Sequence, residues 1–217
     1  MITTVPRAAL FVLAVLSLGL PGCGEKSDGR SAARTDATTH GKAIDDTPTT
    51  ASPLAKAAIR GDLAQIKLLL EGGADINVTD ALGRTPLHMA AFYGRTKASE
   101  LLIDSGAAIN AKDRIGMTPL HAAVLAGGRQ EVELLLEKKA DVNAPSEVGQ
   151  TALHLAAATG QPKVARSLIE HGADPRGKDS DGNTPLFYAT RNQHPVTTEF
   201  LQQYVPKTTG TPVLPGK

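Results

Sequence analysis

The sequence lacks several residue types that characterise common classes of protein. It contains no Trp, only 3% aromatic residues and a single Cys among 217 residues. One Cys excludes an internal disulfide framework, and so few aromatic side chains are unusual for the core of one compact domain of this length. Ala and Leu dominate instead, which favours closely packed short helices.

The chain also lacks an excess of charge of either sign. Arg7 is the only charged residue before Cys23, so the chain from Cys23 onward carries 22 basic and 22 acidic residues. This balance gives no support to nucleic acid or to an acidic membrane surface as the main partner. Motifs for phosphate binding, metalloprotease chemistry and Ser/His/Asp catalysis are missing. We therefore predict no catalytic, cofactor-binding or metal-binding residues, and no enzyme.

One long apolar run is present, and it lies near the beginning of the chain. Met1 to Arg7 carries a single positive charge, and Ala8 to Leu20 is almost wholly apolar. Such a run forms about 20 Å of helix, which is too short to span a hydrocarbon core of about 30 Å. The pattern predicts a secretory signal peptide over residues 1–22.

The residues Leu20-Pro21-Gly22-Cys23 resemble the lipobox of bacterial lipoproteins. The resemblance implies that Cys23 is diacylated on its sulfur and becomes the first residue of the mature chain. Gly24 follows, with no Asp there to direct retention in the inner membrane, so an anchor in the outer membrane facing the periplasm is expected. The alternative is an ordinary cleaved signal with a Cys nearby by chance, which would give a secreted or soluble periplasmic protein.

Two polar segments flank the central part of the chain. Residues 24–50 are mostly polar, and Ile44 is their only sizeable apolar residue. Such a composition cannot bury enough surface to offset the entropy lost on ordering. Residues 23–50 are therefore predicted to form a disordered tether, and residues 206–217, rich in Pro, Gly and Thr, a flexible tail.

Residues 51–205 contain a repeat with a period of 33. Thr recurs at positions 85, 118, 151 and 184, and Gly recurs at 83, 116, 149 and 182. A fixed period of this length indicates stacked structural repeats. Thr followed by Pro is typical of a helix N-cap and first helical residue. The third copy is accordingly predicted to form one helix from Pro119 to about Ala126 and a second from about Gln130 to Lys138.

The repeat resembles the ankyrin repeat over residues 52–204. The resemblance implies an all-α repeat solenoid of about five stacked helix-turn-helix units, including caps, with short β-hairpin loops between them. It also implies that His88, His121 and His154 form hydrogen bonds to the backbone between repeats. Because these residues occupy one position of successive repeats, they are expected to lie about 10 Å apart, too far apart to share a metal ion.

In ankyrin-like proteins, positions outside the consensus recognise partner proteins. The period maps these positions onto the loop tips and the exposed ends of the first helices. The predicted protein-binding residues are Leu82, Arg84, Phe92, Tyr93, Arg114, Ile115, Met117, Leu125 and Val148, and Gln150 also maps to a loop tip. The alternative is that some of them, notably Ile115 and Val148, pack between adjacent loops as part of the core.

Together these patterns predict a lipid-anchored adaptor or scaffold in the bacterial cell envelope. It is expected to bind another protein through its concave face, to be a monomer, and to need neither a cofactor nor nucleic acid. An inhibitor or immunity-type protein for an envelope enzyme or toxin is the alternative. An enzyme with a cryptic site is a third reading, for which no group of residues argues.

Overall fold

A computed structural model describes residues 51–205, which form five consecutive pairs of α-helices. The first helices of the pairs are α1 (Pro53–Arg60), α3 (Pro86–Phe92), α5 (Pro119–Leu125), α7 (Ala152–Ala158) and α9 (Pro185–Arg191). The second helices are α2 (Leu63–Glu71), α4 (Thr96–Asp104), α6 (Arg129–Glu137), α8 (Pro162–Glu170) and α10 (Pro195–Gln202). This part of the chain contains no strand, and the predicted all-α repeat solenoid is confirmed.

Three of the predicted segments lie outside the described residues. They are the signal peptide over residues 1–22, the tether over 23–50 with its lipidated Cys23, and the tail over 206–217. Between residues 51 and 205, none of the helices combines the length and the apolar character that a membrane crossing requires.

The Thr-Pro pairs begin the first helices as expected. Thr118 has an extended backbone, with φ −99° and ψ 169°, and Pro119 is the first helical residue. The helix ends before Gly127, whose φ of 71° lies in the left-handed region. The ends of α5 and α6 each lie within one residue of the predicted bounds.

The core is built from the same positions in successive repeats. Leu87, Leu120 and Leu153 of the first helices are buried, as are Leu102, Leu135 and Leu168 of the second helices. Within each pair the two helices pack together; between adjacent repeats, first helices pack on first helices and second on second. Since full burial of one such side chain stabilises by about 1.5–3 kcal/mol, the stacking of neighbours supplies the core that a single pair lacks.

The short loops between repeats are hydrogen-bonded turns, and none of their residues between 51 and 205 is assigned to a strand. The N–H of Asp113 donates to the carbonyl oxygen of Met117 at 2.9 Å. The Asp113 carboxylate oxygen Oδ1 accepts the N–H groups of Ile115 and Met117 at 3.0 and 2.8 Å. The Asp113 side chain therefore satisfies two backbone N–H groups within the turn. Adjacent turns share one bond, from the N–H of Arg114 to the carbonyl of Leu82 at 2.9 Å.

Glu131 is the buried charged residue of the second helices, whose other buried polar residues between 51 and 205 are Ser99, Ser167 and Thr197. Glu131 is 1% exposed, whereas the equivalent positions in the neighbouring repeats hold Ala98 and Val164. Burial raises the pKa of the Glu131 carboxyl, and the nearby Ser99 and Thr96 hydroxyls offset this only in part. No residue between 51 and 205 forms a hydrogen bond of regular geometry with either carboxylate oxygen. Burial of this carboxyl between α4 and α6 carries a desolvation cost that favours its neutral form.

Candidate protein-binding surface

Three buried histidines connect successive repeats. The His121 ring nitrogen Nδ1 lies 3.2 Å from the N–H of Thr118, and Nε2 lies 3.1 Å from the carbonyl oxygen of Gln150 in the next repeat. His88 and His154 repeat this arrangement, with Nε2 3.0 and 3.2 Å from a carbonyl oxygen 29 residues later. Since Nδ1 faces a donor and Nε2 faces an acceptor, a neutral ring protonated on Nε2 satisfies both contacts.

These histidines belong to the scaffold. Burial lowers the pKa of all three imidazoles, that of His121 to about 4, and the bonds to backbone carbonyls offset this only in part. The expectation that they bond to the backbone between repeats is confirmed. Over residues 51–205 no cluster of three or more His, Cys, Asp or Glu side chains is placed to hold a metal ion.

The predicted protein-binding residues differ in their exposure to solvent. Leu82, Phe92 and Tyr93 expose 46%, 37% and 41% of their surface, and Arg114 is exposed as well. The half-buried members of the set are Arg84, Ile115, Met117, Leu125 and Val148. Met117 and Leu125 pack against the core, so part of their side-chain surface is already covered.

An ion pair holds Arg84 within its own loop. The Arg84 Nε donates to Asp80 Oδ2 at 2.9 Å, and a terminal nitrogen lies 2.7 Å from the same oxygen. Burial alone would raise the pKa of Asp80. The Arg84 side chain and the N–H groups of Arg84 and Leu82 outweigh burial and hold this pKa below its ordinary value. Arg84 therefore stabilises the turn, whereas Arg114 remains exposed.

Three exposed apolar side chains flank the helix α3. Phe92 is its last residue and Tyr93 follows, and their rings meet edge to face with centroids 5.5 Å apart. Leu82 lies in the turn that precedes α3, whose seven residues extend about 10 Å. We name Leu82, Phe92 and Tyr93 the α3 patch. Exposed apolar and aromatic side chains of this kind are typical of interaction sites.

Gln150, which the period assigned to an exposed loop tip, is buried. Its Nε2 donates to the Tyr188 hydroxyl oxygen at 2.8 Å, and that hydroxyl donates to Asp179 Oδ2 at 2.6 Å. Tyr188 occupies the position held by Met89 and Leu155 in other repeats. In the sequence, the only sign that Gln150 is buried is this replacement of an aliphatic side chain by one that carries a hydroxyl. Gln150 is consequently part of a buried polar network and is 7% exposed, so it offers a partner little surface.

The other large apolar side chains that are exposed between residues 51 and 205 belong to the first and last repeats. They are Leu68, Phe187, Val196, Tyr204 and Val205. A terminal repeat has a neighbour on one side only, so exposure at these positions is expected without any partner. The α3 patch differs because it lies in the second repeat, which has a neighbour on each side.

Comparison with known families identifies the repeat. The family described as ankyrin repeats (3 copies) matches residues 54–146 and 132–209. A comparison with curated proteins gave no match. Ankyrin repeats generally mediate protein–protein interaction and are typically non-enzymatic modules. Because the matched residues make up well over half of the sequence, the chain belongs to the ankyrin-repeat family.

Proposed function

We propose that the protein is an adaptor that binds one protein partner through the α3 patch and the adjoining concave face. The observation that carries this proposal is the exposure of Leu82, Phe92 and Tyr93 in the interior of the array. Within the three central repeats they are the only large apolar side chains classed as exposed among the described residues. Because water contacts with these groups are lost on binding, the patch supplies the apolar centre of an interface.

The two aromatic residues are expected to contribute most of the binding energy from this patch. Aromatic side chains are enriched among interface residues whose truncation weakens binding by 2 kcal/mol or more, which is roughly thirtyfold. Phe92 and Tyr93 already contact each other, so little side-chain entropy is lost when a partner covers them. The exposed Arg114 of the next turn adds a charged group beside the apolar centre.

The proposed interface is tested with a double variant, Phe92→Ala together with Tyr93→Ala. The full-length protein captures its partner from detergent extracts of membranes, and the affinity of the purified pair is then measured by calorimetry. The double variant should bind at least about thirtyfold more weakly. Its melting temperature should be nearly unchanged, because neither side chain is buried.

Phe187→Ala is the matched control for the double variant. Phe187 is 43% exposed and also meets its neighbour edge to face, but it lies in the last repeat. It should leave the affinity unchanged. Equal weakening by the control and the double variant, or no weakening by either, would contradict the proposed interface.

We also propose that Cys23 carries lipid and anchors the adaptor in the outer membrane, facing the periplasm. The lipobox-like residues 20–23 and the polar residues 24–50 that follow support this. Buried lipid contributes about 0.8 kcal/mol per CH₂ group, so acyl chains on Cys23 hold the protein firmly. Cys23→Ser should release the protein into the soluble periplasmic fraction and abolish incorporation of labelled fatty acid. Retention of the variant in the membrane would refute the anchor.

A further inference from the structure

Charged residues are unevenly distributed among the segments that hold the turn, the first helix and its link to the second helix. In the second and third repeats these segments, residues 79–97 and 112–130, contain six basic and two acidic residues. The equivalent residues 145–163 and 178–196 of the fourth and fifth repeats contain three of each. The α3 patch therefore lies in the part of the array that has an excess of positive charge.

Both acidic residues of the second and third segments are engaged within their own turns. Asp80 forms an ion pair with Arg84 at 2.7 Å. Asp113 accepts two N–H groups of its own turn, at 3.0 and 2.8 Å. Among residues 51–205, neither carboxylate forms an ion pair with Arg95 or Arg114. The positive charge beside the α3 patch is therefore not neutralised within the array.

Four of the six basic side chains have partners within the chain. These pairs are Arg84 with Asp80, Arg129 with Glu133, Arg95 with the carbonyl of Ile59 and Lys112 with that of Pro145. Lys97 and Arg114 are exposed, and neither side chain forms a hydrogen bond or an ion pair with any residue between 51 and 205. These two cations are available to a partner.

Arg114 is held directly beside the α3 patch. Its N–H donates to the carbonyl oxygen of Leu82 at 2.9 Å. Its stem packs over Gly83, where an added Cβ would lie 3.2 Å from Arg114 Cγ. An exposed guanidinium group and an exposed apolar side chain thus lie on adjacent turns that are bonded to each other.

We propose that the partner segment that covers the α3 patch is acidic, and that one of its carboxylates pairs with Arg114. A guanidinium donates two parallel N–H bonds to a carboxylate, which fixes the orientation of the segment. An apolar residue next to that carboxylate covers Leu82. This inference rests on the proposed function, because it names the chemistry of the segment that binds the α3 patch.

A short segment is long enough to make both contacts. The helix α3 separates Leu82 from Phe92 and Tyr93 and extends about 10 Å. An extended chain spans about 3.3 Å per residue, so about five residues reach from one end of the α3 patch to the other. Complementary charge also speeds association and makes it sensitive to salt, which gives the proposal a second readout.

The first test uses three synthetic peptides of known composition and nuclear magnetic resonance on the labelled full-length chain. Each peptide has a central Leu-Phe pair, flanked on both sides by two Asp, two Asn or two Lys residues. The Asp peptide should shift the backbone amide signals of Leu82, Tyr93 and Arg114, and higher salt should weaken its binding severalfold. The Asn peptide should bind more weakly and the Lys peptide most weakly. No shift with the Asp peptide, or equal shifts with all three, would overturn the proposal.

Vesicles of phosphatidylglycerol test an anionic membrane surface as the alternative occupant. They should leave the signals of Leu82 and Tyr93 unchanged, because a flat lipid surface supplies no Leu-Phe pair. If the vesicles shift these signals and the Asp peptide does not, the surface binds anionic lipid and the acidic segment is refuted.

The second test is Arg114→Glu, which reverses the charge beside Leu82. Glu147 already occupies the equivalent position one repeat later, and its N–H donates to the carbonyl of Ile115 at 3.0 Å. The turn therefore accommodates a Glu side chain, and the melting temperature should be nearly unchanged. The variant should bind the Asp peptide and the partner about tenfold more weakly, because it replaces an attraction by a repulsion.

Arg176→Glu is the matched control, because it makes the same change of charge at an exposed position after α8. It should keep the affinity of the wild type for both ligands. Equal weakening by the two substitutions would show an effect of net charge alone and would refute the pairing with Arg114.

The partner also separates this inference from the proposed function. If Phe92→Ala with Tyr93→Ala abolishes partner binding while Arg114→Glu leaves it intact, the acidic segment is refuted and the α3 patch stands. If the partner binds both variants like the wild type, the acidic segment and the patch are refuted together. Should Arg114→Glu fail to fold, the peptide series on the wild-type chain still decides.

Discussion

At the scale of single residues, hydrogen bonding decides which polar side chains are available to a partner. His121 and Gln150 carry groups that are typical of binding sites. Both are buried, and their polar groups bond to a neighbouring repeat. Arg84 is paired within its own turn, while Arg114 is exposed one repeat later. The positions free to bind are therefore those whose polar groups have no role in the stack.

The buried imidazoles make stability depend on pH. The pKa of His121 is about 4 in the folded chain and near 6.5 when unfolded, so the unfolded chain binds more protons between these values. The stability that neutral His121 contributes is fully present above pH 6.5 and is lost as the pH falls towards 4. Between about pH 6.5 and pH 4, we expect protonation of His121 to lower the free energy of unfolding by about 3 kcal/mol. Unfolding in urea measures this change.

Two variants isolate this effect. His121→Gln should be less stable than the wild type near neutral pH, because it loses a bond between repeats. Its free energy of unfolding should then decrease less on acidification. His171→Gln, at an exposed position, should keep the full pH dependence. An unchanged pH dependence in His121→Gln would show that burial does not exclude the proton from this ring.

At the scale of helices, a left-handed backbone recurs with the period just after four of the five second helices. Gly73, Gly106 and Gly172 follow α2, α4 and α8 with φ of 82°, 95° and 93°. At the same position after α6 stands Lys139, with φ 68°. A left-handed backbone is costly for a residue with a Cβ, so α6 ends in a strained conformation.

Lys139→Gly is expected to stabilise the protein by about 1 kcal/mol. Glycine removes the strain energy of the left-handed backbone. Part of this gain is lost because Gly has more conformational entropy in the unfolded chain. Thermal and urea unfolding measure it. Lys138→Gly, one residue earlier, should destabilise instead, because φ there is −78° and the Lys138 ammonium lies 2.6 Å from the Asp104 carboxylate. Equal effects of the two substitutions on stability would refute the inference that the backbone of Lys139 is strained.

Much of the helical architecture was predictable from the sequence, because it depends on local signals. In the third repeat, the Thr-Pro pair and the period predicted the ends of the first and second helices to within about one residue. The bonding inside the turns could not be predicted from the period. It depends on a side chain, that of Asp113, which accepts the N–H groups of two residues in its own turn.

At the scale of the whole described array, residues divide into those that hold neighbours together and those that the stack leaves free. Leu120 is 1% exposed in the central repeat, whereas Leu68 on α2 is 62% exposed. Residue type therefore does not predict the role of a leucine, but its position in the period does.

Leu120→Ala should lower the free energy of unfolding by about 2–5 kcal/mol, because it opens a cavity between three helix pairs. Leu68→Ala should change it by less than about 0.5 kcal/mol. Denaturation with urea, followed by circular dichroism, measures both. A patch variant that resembles Leu120→Ala in this measurement would show that the α3 patch belongs to the core.

The candidate site was only partly predictable for a related reason. The period identified the positions that face away from the consensus, and Leu82, Phe92 and Tyr93 are exposed there. The period could not distinguish these exposed residues from Gln150. The Gln150 side chain is buried against the Tyr188 hydroxyl of the next repeat, a contact that the period does not reveal.

The restriction of helix contacts to adjacent repeats also bears on how the chain acquires its fold. Between residues 51 and 205, hydrogen bonds between repeats join residues 29 to 38 positions apart, and the first helix pair does not pack on the last. A topology with such short sequence separations folds quickly, because little loop entropy is lost before contacts form. Folding can therefore start at any pair of neighbours and propagate along the array, also while later residues are still emerging from the ribosome.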